Sequence, residues 1–262
     1  MNPKSLITVL TDFGLDDWFV GVMKGVILRL QPRLCIVDLT HHIAPGDVPG
    51  GAFALAAAYQ FFPRGTIHLA VVDPGVGGAR PAIVVETDDY FFIGPDNGLL
   101  SFALRREQIR RIHRLENPRY FLDAISQTFH GRDIFAPVAA HLSCGVPCQR
   151  FGARQRDFQR LPWREPRMHR GAVHGEIIYV DRFGNAISNL ANKLALAGKF
   201  TVRIGNGFQC KVGSHYQSVS KGKAVAVPGS SGFLEVAVNG GSAASVLGLK
   251  SGSKFTLESV KP

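Results

Sequence analysis

Three short apolar runs, each closed by an aspartate, constrain this chain more than any other feature. Leu6-Ile7-Thr8-Val9-Leu10 runs into Thr11-Asp12, Leu34-Cys35-Ile36-Val37 into Asp38, and Ile67-His68-Leu69-Ala70-Val71-Val72 into Asp73. A strand with one wet face alternates polar and apolar residues, so an unbroken apolar run reads as a strand covered on both faces. The stretches between them have helical spacing: Trp18, Val22, Val26 and Leu30 within residues 17–30, and an Ala-rich segment over residues 52–61. Strand–helix–strand alternation predicts an α/β domain with a mainly parallel sheet. A strand pair at residues 83–85 and 90–93, turning at Thr87-Asp88-Asp89, and a helix over residues 130–142 with Pro137 in its early turns complete that domain.

From Gly145 to Arg170 the aliphatic rhythm stops, and Arg, Gln and Pro take over. The segment reads as an interdomain connection crossing a surface. Beyond it the pattern is β alone, with strands expected at residues 175–180, 200–204, 208–212, 224–227, 233–238 and 254–258. Glycine turns such as Gly205-Asn206-Gly207 and Gly240-Gly241 separate them. Short strands at this spacing make a small barrel or sandwich. The reading is an N-terminal α/β domain over residues 1–165 and a smaller C-terminal all-β domain over residues 166–262.

Composition narrows the function classes. With 45% hydrophobic residues the chain is neither disordered nor fibrous. No stretch approaches the roughly 20 apolar residues of a membrane span. Met1-Asn2-Pro3-Lys4-Ser5 is not followed by an apolar h-region and a small-residue cleavage site, so a cytoplasmic protein without a membrane partner is expected. Cys35, Cys144, Cys148 and Cys210 are too few for a disulfide scaffold, and no second pair stands at zinc spacing from Cys144 and Cys148. Reduced thiols and no bound metal are expected. The net charge of +10 gathers in arginine runs at residues 105–119 and 150–170. These lack interleaved aromatics and any nucleic-acid module, so they read as a solvated surface rather than a nucleic-acid site.

In an open α/β sheet, ligands gather outside the carboxyl ends of the strands, where Asp12, Asp38 and Asp73 fall. Singly, each acid is a loop carboxylate capping the next helix; together they can hold a metal, a ribose or a cationic substrate. Asp73 opens Asp73-Pro74-Gly75-Val76-Gly77-Gly78-Ala79-Arg80. Its glycines admit close backbone approach, but the pattern is not that of a phosphate loop. Arg80 can return across the loop to meet Asp73. Phe129-His130-Gly131-Arg132-Asp133 puts a histidine at an expected helix start, where the dipole disfavours protonation and a neutral imidazole can orient water. Gly94-Pro95-Asp96-Asn97-Gly98 reads as a turn carrying an acid and an amide.

In the second domain, Asp181-Arg182-Phe183-Gly184-Asn185 offers an acid, a ring and an amide. That set suits a nucleoside, although taken by itself it reads more readily as a turn closed by an Asx bond. Ser231, in Pro228-Gly229-Ser230-Ser231-Gly232, and Ala243, in Asn239-Gly240-Gly241-Ser242-Ala243-Ala244, lie on small-residue loops. Such loops present backbone to a purine edge, or simply turn.

Taken in order, Thr11-Asp12-Phe13-Gly14, Val72-Asp73-Pro74-Gly75-Val76-Gly77, Gly94-Pro95-Asp96-Asn97-Gly98, Phe129-His130-Gly131-Arg132-Asp133, Asp181-Arg182-Phe183-Gly184-Asn185 and Leu234-Glu235-Val236-Ala237-Val238 resemble the S-adenosyl-L-methionine hydroxide adenosyltransferases, relatives of the bacterial fluorinase and chlorinase. The resemblance covers nearly the whole chain. It implies an N-terminal α/β domain, a C-terminal β domain, and a homotrimer whose active sites lie between the N-terminal domain of one subunit and the C-terminal domain of its neighbour. It implies hydrolysis of S-adenosylmethionine to adenosine and methionine, with Asp73, Arg80 and His130 as the catalytic set. Asp12, Phe13, Asp181, Phe183, Asn185, Ser231 and Ala243 would contact the substrate, and no cofactor is needed. The halogenases carry Tyr in place of this Asp and a halide pocket of Thr and Ser. Asp73 and Val76-Gly77 therefore resemble the hydrolytic branch. The loop Gly229-Ser230-Ser231-Gly232 departs from relatives that carry Asn there.

The chemistry of such a reaction fits these residue types. The leaving group is a neutral thioether and needs no general acid. Attack at the ribose C5′ needs a positioned water in a dry site. A carboxylate held by an arginine is a weak base, so positioning is expected to outweigh proton abstraction. Which of the three residues takes the proton is left open by the sequence. The competing readings are a non-catalytic adenosine or S-adenosylmethionine binder with the same fold, and a halide-using adenosyltransferase.

Overall fold

A computed structural model describes residues 6–195, 200–205 and 207–259. Met1-Asn2-Pro3-Lys4-Ser5 and Asn206 of the expected glycine turn lie outside the described residues. The chain divides into two compact units, Met1–Pro162 and Trp163–Pro262.

The three runs that end at aspartates form β1 (Leu6–Thr11), β2 (Cys35–Thr40) and β3 (Ile67–Val71). They are followed by β4 (Ala82–Thr87), β5 (Phe91–Pro95), β6 (Ile109–Arg114) and the short β7 (Arg154–Gln155). The sheet order is β2-β1-β3-β5-β4-β6-β7. Pairings from β2 to β5 are parallel, and those from β5 to β7 are antiparallel. The sheet is therefore mixed, not mainly parallel. The reversal comes from the turn at residues 87–90. There the Thr87 hydroxyl accepts the Tyr90 N–H at 2.9 Å and the Thr87 N–H donates to the Tyr90 carbonyl at 2.9 Å. That local closure makes a hairpin and turns the chain back antiparallel. Strand β6 carries no apolar run to announce it. Only Ile112 and His113 are buried, while Arg110 and Arg111 pair with Asp88 and Glu86.

Helices α1 (Phe19–Leu30) and α4 (Ala136–Ser143) pack on one face of this sheet; α2 (Val48–Ala58) and α3 (Ser101–Leu104) pack on the other. Successive residues of each central strand feed opposite layers. Ile7, Val9, Leu69 and Val71 meet α1 and α4, whereas Leu10, Ala70 and Val72 meet α2 and α3. Helix α2 starts four residues ahead of the expected Ala52. Asp47 caps it by accepting the Gly50 N–H at 3.0 Å, and Pro49 is tolerated in a first turn. The expected helix over residues 130–142 is a π-helical turn, Gly131–Phe135, running into α4. The segment expected to be an interdomain connection crossing a surface is folded into the first unit over its first half. Phe151 and Phe158 are buried there, and β7 pairs with β6.

The second unit is antiparallel β. Its strands are β8 (Arg167–His169), β9 (Ala172–Val180), β10 (Ala186–Ala191), β11 (Phe200–Ile204), β12 (Phe208–Lys211), β13 (Ala224–Pro228), β14 (Phe233–Val238) and β15 (Lys254–Ser259). The order is β12-β11-β15-β9-β10-β14-β13, with β8 beside β9. A bridge between Val212 and Ala226 brings the two ends of that order together, so the sheet nearly closes into a barrel. Its interior is packed by Ile177, Leu190, Val202, Leu234, Val236 and Phe255. Strand β10 was not expected because Ser188 and Asn189 interrupt its apolar pattern, although both are buried. The Ser188 hydroxyl is satisfied by the Leu234 carbonyl at 2.7 Å. A short helix, α5 (Ala243–Leu247), is capped by the Ser242 hydroxyl, which accepts the Ser245 N–H at 3.1 Å.

Candidate active site

Asp73 stands two residues past the end of β3, and Asp12 one residue past the end of β1. Thr11 and Val71 are partners in the parallel register. The two acids therefore leave adjacent strands at the same edge. The Asn97 amide donates to the Val72 carbonyl at 2.9 Å and so anchors the backbone just ahead of Asp73. The Asp-Pro-Gly loop is wound tightly by Val76 N–H to the Asp73 carbonyl and Gly78 N–H to the Gly75 carbonyl. Gly77 has φ +75° and its Cα faces the Gln127 carbonyl so closely that any Cβ would collide with it. Only glycine meets both conditions, and this contact seats the loop against the segment that carries His130.

Arg80 returns across the loop as the sequence suggested. Its Nε donates to Asp73 Oδ1 at 2.9 Å, and its Nη2 donates to Asp73 Oδ2, a bidentate fork. The same Nη2 lies 2.9 Å from His130 Nδ1. Arginine has donors only, so Nδ1 must be the accepting nitrogen and the neutral ring carries its proton on Nε2. The Asp73 side chain is 4% exposed and that of Arg80 12%. The Arg80 guanidinium carbon also stands 5.5 Å from the centre of the Phe135 ring. Burial, and then the charge of Arg80, hold His130 below its ordinary value of 6.5. His130 is the N-cap of the π turn Gly131–Phe135, which runs directly into α4, so it stands at the helix start expected from sequence.

Asp12 is tied by one oxygen, which accepts the Gly46 N–H at 2.8 Å. The loop it opens is strapped to residues 41–46. Gly14 N–H donates to the His41 carbonyl at 2.7 Å, and the Thr11 hydroxyl meets His41 Nδ1 at 2.9 Å. Asp38 is drawn away from the site by Lys24, at 2.6 Å. His41 Nε2 is 3.0 Å from Asp38 Oδ1, near but not aligned for a hydrogen bond. Phe13 stacks edge-on against Phe129 at 5.8 Å and packs on Phe19, so an apolar wall adjoins His130.

In the second unit, Asp181 closes its own turn. Oδ1 accepts the N–H groups of Phe183 at 2.9 Å and Asn185 at 2.8 Å, and Oδ2 accepts the Asn185 amide at 2.9 Å. The Asx reading of this loop is thus realised. Gly184, at φ +81°, presses on Ser242, and its carbonyl accepts the Ala244 N–H at 2.8 Å. Those contacts bring the Asp181, Phe183, Asn185 and Ala243 loops side by side. Phe183 is 78% exposed, whereas Asn185 and Ala243 are buried. Ser231 lies apart from them in the turn joining β13 and β14, and its hydroxyl is buried without a hydrogen-bond partner. Glu235, on β14, is buried and accepts the Tyr216 hydroxyl at 2.5 Å. Burial pushes its carboxyl up, and the charge of Asp181 adds to that against the Tyr216 bond.

Asn97, Gln127, Phe135 and Asp133 support the first-unit site. Sequence reasoning did not single them out for that task, although Asn97 and Asp133 fall within its motifs. Among the described residues, no cluster of three or more His, Cys, Asp or Glu side chains is arranged to hold a metal. No helix among them is long and apolar enough to cross a membrane.

A carboxylate, a guanidinium and an imidazole thus stand in one hydrogen-bonded row beyond the carboxyl end of β3, in a domain of the α/β class. The SAM hydroxide adenosyltransferase N-terminal domain matches residues 7–152, and the C-terminal domain of that family matches residues 175–256. The chain belongs to the SAM hydroxide adenosyltransferase family. It is 42% identical to the "(R)-S-adenosyl-L-methionine hydrolase" of Thermus thermophilus over 95% of this chain and 97% of that protein. A fluorinase of Nocardia brasiliensis is 25% identical over 95% of each chain. The crystal structure of an uncharacterized conserved protein from Thermotoga maritima superposes with a TM-score of 0.90 and 40% identity, covering 96% of this chain and 99% of that one.

Proposed function

We propose that this protein hydrolyses S-adenosyl-L-methionine to adenosine and L-methionine. The observation that carries the reading is the Asp73–Arg80–His130 row in a chain so similar to a named hydrolase. In the step, an oxygen lone pair of water forms the C5′–O bond while the C5′–S bond breaks. The sulfur keeps the electron pair and leaves as the neutral thioether of methionine. One proton of the water must then be lost. We assign it first to the Asp73 carboxylate, since the Nδ1 of His130 is occupied by an arginine donor and its other nitrogen carries the ring proton. Arg80 fixes the direction of the carboxylate, and His130 fixes Arg80. Catalysis on this account comes mostly from positioning in a site that excludes bulk water.

Asp12 and Asp181 are assigned to the ribose hydroxyls, Phe13, Phe183 and Asn185 to the nucleoside, and Ser231 and Ala243 to the adenine edge. The acids also suit the sulfonium charge. No metal or cofactor takes part. The working form is a homotrimer in the cytoplasm, so light scattering should give three times the chain mass; a fully active monomer contradicts that assembly.

The direct assay is incubation with S-adenosylmethionine in buffers with and without chloride, with products identified by mass spectrometry. Adenosine and methionine in both buffers are expected. A chlorinated nucleoside formed only with chloride contradicts the hydrolytic reading in favour of halide transfer. Bound but uncleaved substrate in both contradicts it in favour of a binding protein.

A further inference from the structure

The motif that supplies His130 also contains Asp133, whose carboxylate is fully buried and takes no part in the step above. A buried carboxylate is kept only where its bonds are met. One oxygen of Asp133 accepts the Arg132 Nε at 2.5 Å; the other accepts the Ser126 N–H at 2.8 Å and the Arg132 Nη2 at 3.1 Å. The Asp133 carbonyl accepts the Leu122 N–H at 2.9 Å, and its own N–H donates to the Phe129 carbonyl at 3.1 Å. The Ser126 hydroxyl accepts the Phe129 N–H at 3.0 Å. Residues 126–130, with His130 at their end, are thus strapped to Asp133 at both ends. The imidazole hydrogen-bonds the Ser126 main chain and feels the charges of Arg80, Asp73 and Asp133. The strap closes on the π turn of residues 131–135, a local departure from α geometry that often marks functional sites.

We infer that Asp133 is a positioning residue: by gripping the Ser126 amide it holds the 126–130 turn, and so fixes the His130 ring where it can brace Arg80 against Asp73. This rests on the hydrolytic reading, but the strap itself can be tested without substrate. Asp133 does not touch the row.

The test is Asp133→Asn in the full-length protein, read by turnover, by KM for S-adenosylmethionine and by the NMR titration of the His130 ring. A misplacement of this kind costs on the order of a hundredfold in rate. The expected result is a kcat loss of that order, an unchanged KM, and a His130 titration midpoint displaced downward as the Asp133 charge is lost. Ser126→Ala keeps the Asp133–Arg132 pair intact and loosens the same turn from its hydroxyl side; it should reproduce the kcat loss, and it serves alone where Asp133→Asn does not fold. An unchanged His130 signal with unchanged kcat overturns the inference. So does a fall in thermal stability with kcat preserved, which marks a merely structural residue. Absence of hydrolysis by the unsubstituted protein would sink the functional reading instead, and the His130 signal would still decide the strap.

Discussion

Asp73→Asn is expected to lower turnover of S-adenosylmethionine by about 10²–10⁴-fold, the range for losing a positioned proton acceptor, while adenosine binds nearly as before. The amide keeps the volume of the carboxylate and can still accept from Arg80 Nε through its oxygen. It cannot complete the fork, and it is no acceptor for the proton of water. The adenosine contacts assigned to Asp12 and to the second unit are untouched. The check is a pair of measurements on one preparation: single-turnover rate and adenosine affinity by calorimetry. Turnover within a few-fold of the unsubstituted protein would remove Asp73 from the chemistry.

Arg80→Ala should act on stability and activity together. Its partner carboxylate is almost wholly buried, so truncating the arginine leaves an uncompensated charge. Breaking such a pair from one side costs about 3–5 kcal/mol. The loss is greater than for removing both charges, so Arg80→Ala combined with Asp73→Asn should be more stable than Arg80→Ala alone. Urea denaturation of the two single variants and the double variant measures that coupling. Activity should stay low in all three, because each lacks a member of the Asp73–Arg80–His130 row. Additive stability effects would show that the fork is exposed to solvent in solution.

Much of the first unit was legible because continuous apolar strands and amphipathic helices have distinct periods. The sites at the ends of β1 and β3 followed from where open sheets expose their strand ends. What the pattern hid is equally physical. Strand β6 is held by cross-strand ion pairs and a buried Ile112–His113 step rather than by an apolar face. The hairpin at Thr87 reverses the sheet by two local bonds that periodicity does not report. Arg80 was foreseen to meet Asp73, since eight residues of glycine-rich loop allow little else. Its second contact, to His130, spans fifty positions and depends on how Gly77 seats against Gln127. The lowered basicity of His130 was foreseen from its place at a helix start; burial, and then the charge of Arg80, which periodicity does not report, lower it. The Asp181 motif, taken alone, read more readily as an Asx turn than as a ligand, and its oxygens are engaged in closing that turn, with Phe183 left outward.

The central claim is that a water held at Asp73 attacks the ribose C5′, and oxygen-18 water tests it most directly. Hydrolysis run in that solvent should place the heavy oxygen in the 5′-hydroxyl of adenosine and none in methionine. Adenosine without the label, or labelled homoserine beside methylthioadenosine, would show that another oxygen or another carbon is involved and would contradict the account.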